Sequence, residues 1–409
     1  MGKNIVICCD GTGNEVDTNL SNVLKLYRCI DENRGQTVFY DPGIGTIGTD
    51  SEWQAPQNLK EAFDQATGIG LYKNILDAYK FLIDTYEPGD NIYMFGFSRG
   101  AYTVRALGGL INVVGLPQPG QTNFADFALK AYTDSAKQGD LKEGWRFGHV
   151  MKTRQVPIKF MGVWDTVNSV IVPQWKHHLL GLGFEKLPYT MQNPVVEVFR
   201  QALAIDEKRR MFRPKEWMEP GVYQPDRWKN DPAKPQDSKQ VWFAGDHSDI
   251  GGGYPDVESG LAQIPLKWMI REAQKAGLRF NQKMVDHIVC GQQQPGSHSY
   301  VPPDPAAQLH NSLHGAWNLL EWLPKNVKER EWPERKSFLG YYLPAGEPRY
   351  IPDDAIIHHS VLERMAQIPS YRPVNLPEHY RVEEENNVIP IEVTRLQKDA
   401  APQPVPVTG

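Results

Sequence analysis

Two kinds of apolar pattern alternate along this chain. Short continuous apolar runs are followed by longer stretches whose apolar residues recur at helical spacing. The first run, Lys3 to Cys9, predicts a buried strand, ended by Asp10-Gly11-Thr12-Gly13-Asn14. Asn19 to Glu32 then predicts a helix with Leu20, Val23, Leu24 and Tyr27 on one face. Thr37 to Asp41 predicts a short strand, and Pro42 to Pro56 a glycine-rich loop. Leu71, Ile75, Leu76, Tyr79, Leu82, Ile83 and Tyr86 keep a helical period until Pro88-Gly89-Asp90 stops it. Ile92 to Phe95 is the next strand and Ala101 to Val114 the next helix. Ile158 to Trp164 and Gln240 to Ala244 are further strands, and Leu261 to Ala276 a helix closed by Gly277.

Strands that are apolar on both sides and alternate with helices predict an α/β chain. Its sheet should be mostly parallel and covered by helices on both faces. Sites on such sheets lie at the carboxyl ends of the strands. The pattern spans residues 1–290, which read as one catalytic domain with insertions at about 117–155 and 166–239. Residues 291–396 are Pro-rich and read as a C-terminal extension packed on that core; 397–409 read as a disordered tail.

Composition narrows the choices. The 409 residues are 40% hydrophobic and 23% charged, with a net charge of −5. That describes a globular chain, and the absence of a Lys/Arg block argues against a nucleic-acid partner. The cysteines Cys8, Cys9, Cys29 and Cys290 contain no C-x-x-C pair, so no zinc cluster is expected. They read as reduced thiols, and neither metal nor cofactor is expected. The start, MGKNIVICCDGTG, has too short an apolar run for a signal peptide, and no apolar run reaches the ~18 residues of a membrane span. The expectation is a chain that is cytoplasmic as synthesised.

Within NIYMFGFSRGAYTVRAL, Ser98 stands between Gly96 and Gly100 where a strand hands over to a helix. A nucleophile elbow needs small residues there, because its serine is strained and strand and helix approach closely. A nucleophilic serine also needs a base, and the base a carboxylate to orient it. Asp165, after GVW, and His247, after WFAGD, both follow strands. The order Ser98, Asp165, His247 is that of α/β-hydrolases. Rival bases are His359, His310 and His314, none of which follows a convincing strand. The oxyanion hole would take one backbone N–H from Arg99 and one from the DGTGN loop, at Gly11 or Thr12. Asp10 would fix that loop, or serve as a plain turn residue. Asp249, with the glycines at 251–253, suggests backbone packed tightly beside the site.

Two other motifs lack their context. Asp10-Gly11-Thr12 resembles a haloacid-dehalogenase signature, but Cys8 stands where that chemistry needs an aspartate. Gly43-Ile44-Gly45-Thr46-Ile47-Gly48 fits G-x-G-x-x-G, but no helix follows at once to receive a pyrophosphate.

Taken in order, CCDGTGN, DPGIGT, AYKFL, GFSRGAYTVRALGGLI, GVWDTV, ALAIDEKRRMF and WFAGDHSDIGGGY resemble a known α/β-hydrolase family. It is the family that includes the first class of type VI secretion phospholipase effectors. The likeness runs from about residue 3 to 275, with an echo at IIHHSVLERM; Cys9 stands where an aromatic residue is common. The resemblance implies a Ser/Asp/His hydrolase with phospholipase A activity. Ser98 matches the nucleophile, and Asp165 and His247 its partners. The partners expected are an ester or phospholipid substrate and, at most, a peripheral membrane surface. Export by a type VI system is compatible with this; an immunity or secretion partner is not named by the sequence.

Three functions remain open at this point: a lipid-ester hydrolase, a soluble esterase or thioesterase for small substrates, and a non-catalytic interaction protein on a hydrolase scaffold. Val170 to Phe184 reads as a lid or acyl pocket, or equally as a buried helix pair. If His247 is the base, its partner carboxylate should hold its proton firmly and place an acid limb near roughly pH 6–7.5.

Overall fold

Ile5, Ile7 and Cys9 face one hydrophobic core, and Val6 and Cys8 face another. A strand with alternate residues in two different cores must be covered on both sides. This strand, β1 (Asn4–Cys9), lies inside a nine-stranded sheet. The computed structural model describes residues 2–11, 19–32, 35–43, 68–167, 171–174, 181–184, 187–226, 232–313, 317–318, 321–332, 335–384 and 388–392.

The other strands of the sheet are β2 (Gln36–Asp41), β3 (Asn91–Phe97), β4 (Ile158–Trp164), β5 (Val196–Ala204), β6 (Asp237–Phe243), β7 (Ala355–His358), β8 (His379–Glu383) and β9 (Val388–Glu392). Their spatial order is β9-β8-β7-β6-β5-β4-β3-β1-β2. All neighbours are parallel except the edge pair β8–β9. Helices α2 (Gly68–Thr85) and α3 (Ser98–Val114) pack on one face, and α1 (Asn22–Cys29) and α7 (Gly260–Lys275) on the other. The strand ends are nearly level: Cys9 pairs with Gly96, Phe97 with Trp164, and Trp164 with Ala202. Residues just past β1, β3, β4 and β6 therefore emerge on one edge of the sheet. This is an α/β-hydrolase-like fold.

Several boundaries differ from expectation. Helix α1 starts at Asn22, not Asn19, because Ser21 caps it by accepting from the Leu24 N–H. Residues 166–239 are not wholly an insertion, since β5 lies between β4 and β6 in the sheet. Residues 117–155 do make an excursion. It holds α4 (Ala125–Gln138) and α5 (Lys142–Val150), and is pinned at its neck by paired backbone hydrogen bonds between Leu116 and Arg154. The extension after 290 does more than pack on the core. It supplies β7 to β9 and a third apolar cluster around Trp242, Ile357, Val361 and Tyr380.

Ile171–Gln174 and Gly181–Phe184 form an antiparallel pair, so the described residues of this stretch are strands and not a helix pair. The glycine-rich loop beyond Gly43, Thr12 to Asn14, His314 and the 397–409 tail lie outside the described residues. Among the described residues, no helix is long and apolar enough to cross a membrane, and no group of three or more His, Cys, Asp or Glu is arranged to hold a metal ion.

Candidate active site

Strand β3 passes directly into α3 at the Phe97–Ser98 junction, with none of the separate turn residues expected between 95 and 101. Ser98 absorbs the change of direction with φ 55°, a left-handed value that costs a non-glycine residue about 1–2 kcal/mol. The glycines permit the sharp approach. A Cβ on Gly100 would sit 2.1 Å from the Cys9 carbonyl oxygen, and one on Gly96 2.5 Å from that of Gly100. The first turn of α3 thus lies against the end of β1.

Three candidates from distant parts of the chain meet at this point. Oγ of Ser98 is 2.8 Å from Nε2 of His247. Nδ1 of the same ring is 2.5 Å from Oδ2 of Asp165. All three side chains are buried. With Asp165 ionised, the imidazole proton sits on Nδ1 and Nε2 is left to accept from the serine. Asp165, like Ser98, has a positive φ, 37°. The imidazole is held between two aromatic rings, with Phe97 4.7 Å away and Phe212 edge-on at 4.8 Å. The glycine run after His247 makes room for the first of these. A Cβ on Gly251 would lie 1.9 Å from the Phe97 ring.

Asp165 has a second partner that sequence reasoning missed. Arg349 is fully buried and places Nη1 2.6 Å from Oδ1 and Nη2 2.9 Å from Oδ2. The guanidinium also donates to the carbonyls of Ala204 (3.0 Å) and Phe212, and the Ala204 N–H donates to Oδ1 of Asp165 (3.1 Å). Burial alone would raise the Asp165 carboxyl. Arg349 and His247 outweigh burial and hold it well below the usual carboxylate range. For His247 burial dominates and lowers its affinity for a proton, against the opposing pull of Asp165. The nearby Arg209 guanidinium adds to the lowering, and Glu207 opposes it. Burial thus favours an acid limb below the pH 6–7.5 expected from the sequence.

His247 opens the short helix α6 (His247–Gly251), capped by Asp246. Asp246 accepts from the N–H groups of Ser248 and Asp249 (both 3.0 Å), and Asp249 accepts back from the Asp246 N–H (3.1 Å). Asp249 thus acts on the turn that carries His247, and also meets Nδ1 of His310 at 2.7 Å. Burial pushes the Asp246 carboxyl up, and the nearby Asp249 and Glu207 add to it. Glu207, paired with Arg209 at 2.7 Å, accepts from the His247 N–H at 3.2 Å. Arg209 in turn stacks on Phe212, 3.6 Å from its centre.

The rival histidines have other partners. His310 is tied to Asp249 and lies 3.2 Å from Glu258. His359 does follow a strand, β7, contrary to expectation, but its Nδ1 lies 3.2 Å from the Glu383 carbonyl oxygen. On the oxyanion side, Arg99 occupies the first turn of α3, where N–H groups have no partner within their helix. The Gly11 N–H donates to Oδ1 of its neighbour Asp10 at 2.7 Å. Asp10 also accepts from Ser21 and from the Tyr40 hydroxyl (2.8 Å), so it holds the end of β1, α1 and β2 together. Thr12 lies outside the described residues.

Residues 3–272 match the model of the catalytic domain of type VI secretion (T6SS) Tle1-like phospholipase effectors. The chain belongs to that family. It is 33% identical over 229 residues to the uncharacterized protein YEL023C of Saccharomyces cerevisiae, a match covering 52% of this chain and 32% of the yeast protein. The chain thus spans about a third of that relative's length. Among solved structures it is similar to an uncharacterized protein from Pseudomonas aeruginosa, at 18% identity and TM-score 0.38, covering 68% of this chain and 46% of that one. It is also similar to a Tle1 effector bound to the VgrG spike of the Type 6 secretion system, at 19% identity and TM-score 0.33, covering 64% and 53%. At TM-scores this low, the fold assignment rests on strand order and on the family.

Proposed function

We propose that the protein is a serine hydrolase of lipid carboxylic esters, phospholipase A-like, acting through an acyl-enzyme on Ser98. The observation that carries this reading is the continuous relay from Ser98 Oγ through His247 to Asp165, at 2.8 and 2.5 Å. Membership of a family of phospholipase effectors supports the substrate class.

In this mechanism Nε2 of His247 removes the Ser98 proton as Oγ attacks the ester carbonyl carbon. The imidazolium that forms is stabilised by Asp165, which Arg349 keeps ionised. The negative oxygen of the tetrahedral intermediate takes the Arg99 N–H and a second N–H from the end of β1. For Gly11 to supply it, that N–H must leave Asp10. The imidazolium then gives its proton to the departing alcohol, and water repeats the sequence in reverse roles to release the fatty acid. No cofactor is required.

A fluorophosphonate probe tests the nucleophile directly. It is expected to phosphonylate Ser98, with the adduct found by mass spectrometry in the peptide carrying GFSRGA. An unmodified Ser98, or labelling undiminished in the Ser98→Ala protein, would overturn the assignment.

The base sets the pH dependence. Only neutral His247 accepts the serine proton, and burial lowers its proton affinity from the ordinary value near 6.5. Activity should therefore persist below about pH 6.5 and fall only in more acid solution. Measuring kcat/KM for a short acyl ester across the acid range checks this. A limb above the ordinary histidine value would show that Asp165, not burial, dominates.

A further inference from the structure

The small sheet formed by Lys325–Asn326, Ser337–Phe338 and Tyr341–Tyr342 places large apolar side chains in water. Phe338 is 80% exposed and Leu339 83%, with Trp322 at 63% and Leu323 at 54%. Tyr341 and Leu343 are exposed beside them. Isolated exposed apolar residues are ordinary, but a contiguous group marks a surface that meets something.

Phe338 pairs with Tyr341, so Leu339 and Gly340 alone form the turn, with φ 49° and 81°. Turns with two positive φ values strongly favour Asn-Gly or Asp-Gly. Leucine here is unfavourable twice, for its left-handed backbone and for its exposed side chain. Departures from local rules without any packing gain point to function.

The platform is fixed to the candidate active site. Glu321 accepts from the Arg210 N–H at 2.6 Å, and Arg213 meets Glu347 at 3.1 Å, which in turn accepts from the Tyr342 hydroxyl at 2.6 Å. Arg210 and Arg213 flank Phe212, whose ring packs on His247. Trp317 meets Phe212 edge-on at 5.3 Å.

We propose that this platform is a docking surface for an anionic phospholipid bilayer, with Phe338 and Leu339 entering the interface. Trp, Tyr, Phe and Leu beside lysines suit the boundary between headgroups and acyl chains. Lys328 and Lys336 are exposed on the platform, while Glu331 is turned to Arg213 at 3.1 Å. A chain of net charge −5 needs such local cations to approach an anionic membrane. The choice of a lipid surface over a protein partner rests on the lipid-ester reading of the site.

The test is co-sedimentation of the full chain with vesicles of phosphatidylcholine and phosphatidylglycerol in equal parts. Wild type is expected to bind, less tightly at high salt. The double variant Phe338→Ser with Leu339→Asn should bind at least about tenfold more weakly. It should melt no lower than wild type, because asparagine suits the left-handed turn position. Wild type that stays in the supernatant, or a folded variant that binds as well as wild type, overturns the proposal. Ether-linked analogues of both lipids, which carry no carboxylic ester, keep turnover out of the measurement, so binding is separable from the esterase reading. Vesicle binding with an unlabelled Ser98 would sink only the nucleophile, and a labelled Ser98 without vesicle binding only the platform.

Discussion

Replacing Ser98 with alanine is expected to lower ester hydrolysis by about four orders of magnitude or more, while leaving the fold intact. That factor is roughly 5 kcal/mol of transition-state stabilisation. Only one buried hydroxyl is deleted, and alanine inherits the same left-handed backbone, so melting temperature should change little. His247→Ala should be as severe, because the two residues act as one unit and their losses do not add. The measurement is kcat/KM on a short acyl ester and on a phospholipid, with thermal melts alongside. A Ser98→Ala protein within about tenfold of wild type would discard Ser98 as the nucleophile.

Arg349→Gln is expected to lower stability by about 3–5 kcal/mol, because it leaves the buried Asp165 carboxylate short of its counter-charge. The same change should move the acid limb of kcat/KM to higher pH. Removing the cation lets Asp165 pull harder on the His247 proton, so the imidazole stays charged, and inactive, further up the pH scale. A pH profile separates this from mere damage, since a poorly folded protein loses amplitude without moving its limb. A limb that stays in place, or moves down, would show that Arg349 does not set the base. Wild-type stability carries a related sign. Asp165 is depressed in the folded state, so its contribution is present above an ordinary carboxylate value of about 4 and fades as pH falls below it.

Much of the fold was legible because its strands are apolar on both sides and its helices keep their period. β1, β3, β4 and β6 could be read within a few residues. Strand β5 was not, although it is central. Its sequence VEVFRQALA sets Arg200 and Gln201 in the middle of the run. Both are buried because partners far along the chain accept them: Arg200 pairs with Glu272 at 2.6 Å and Asp237 at 2.9 Å, and Gln201 accepts from Arg105 at 2.7 Å. A polar residue satisfied across such distances looks like a loop residue in a local window. Ser98, Asp165 and His247 were legible as a set because each follows a strand. Arg349 left no comparable signal. It lies in PAGEPRY, 184 residues from Asp165, and follows no strand. Phe212, in RRMF, carried no sign that it would wall the imidazole.

The position of Arg349 also bears on how such proteins are divided for expression. The match to the catalytic-domain model ends at residue 272, which invites a minimal fragment cut there. Such a fragment would keep Ser98, Asp165 and His247 and lose the guanidinium that neutralises the aspartate. It would also lose β7, which borders β6 and covers its open edge, leaving an unpaired strand able to recruit other chains. The sheet runs on past the similarity boundary, and only the longer stretch holds Asp165 together with the cation that neutralises it.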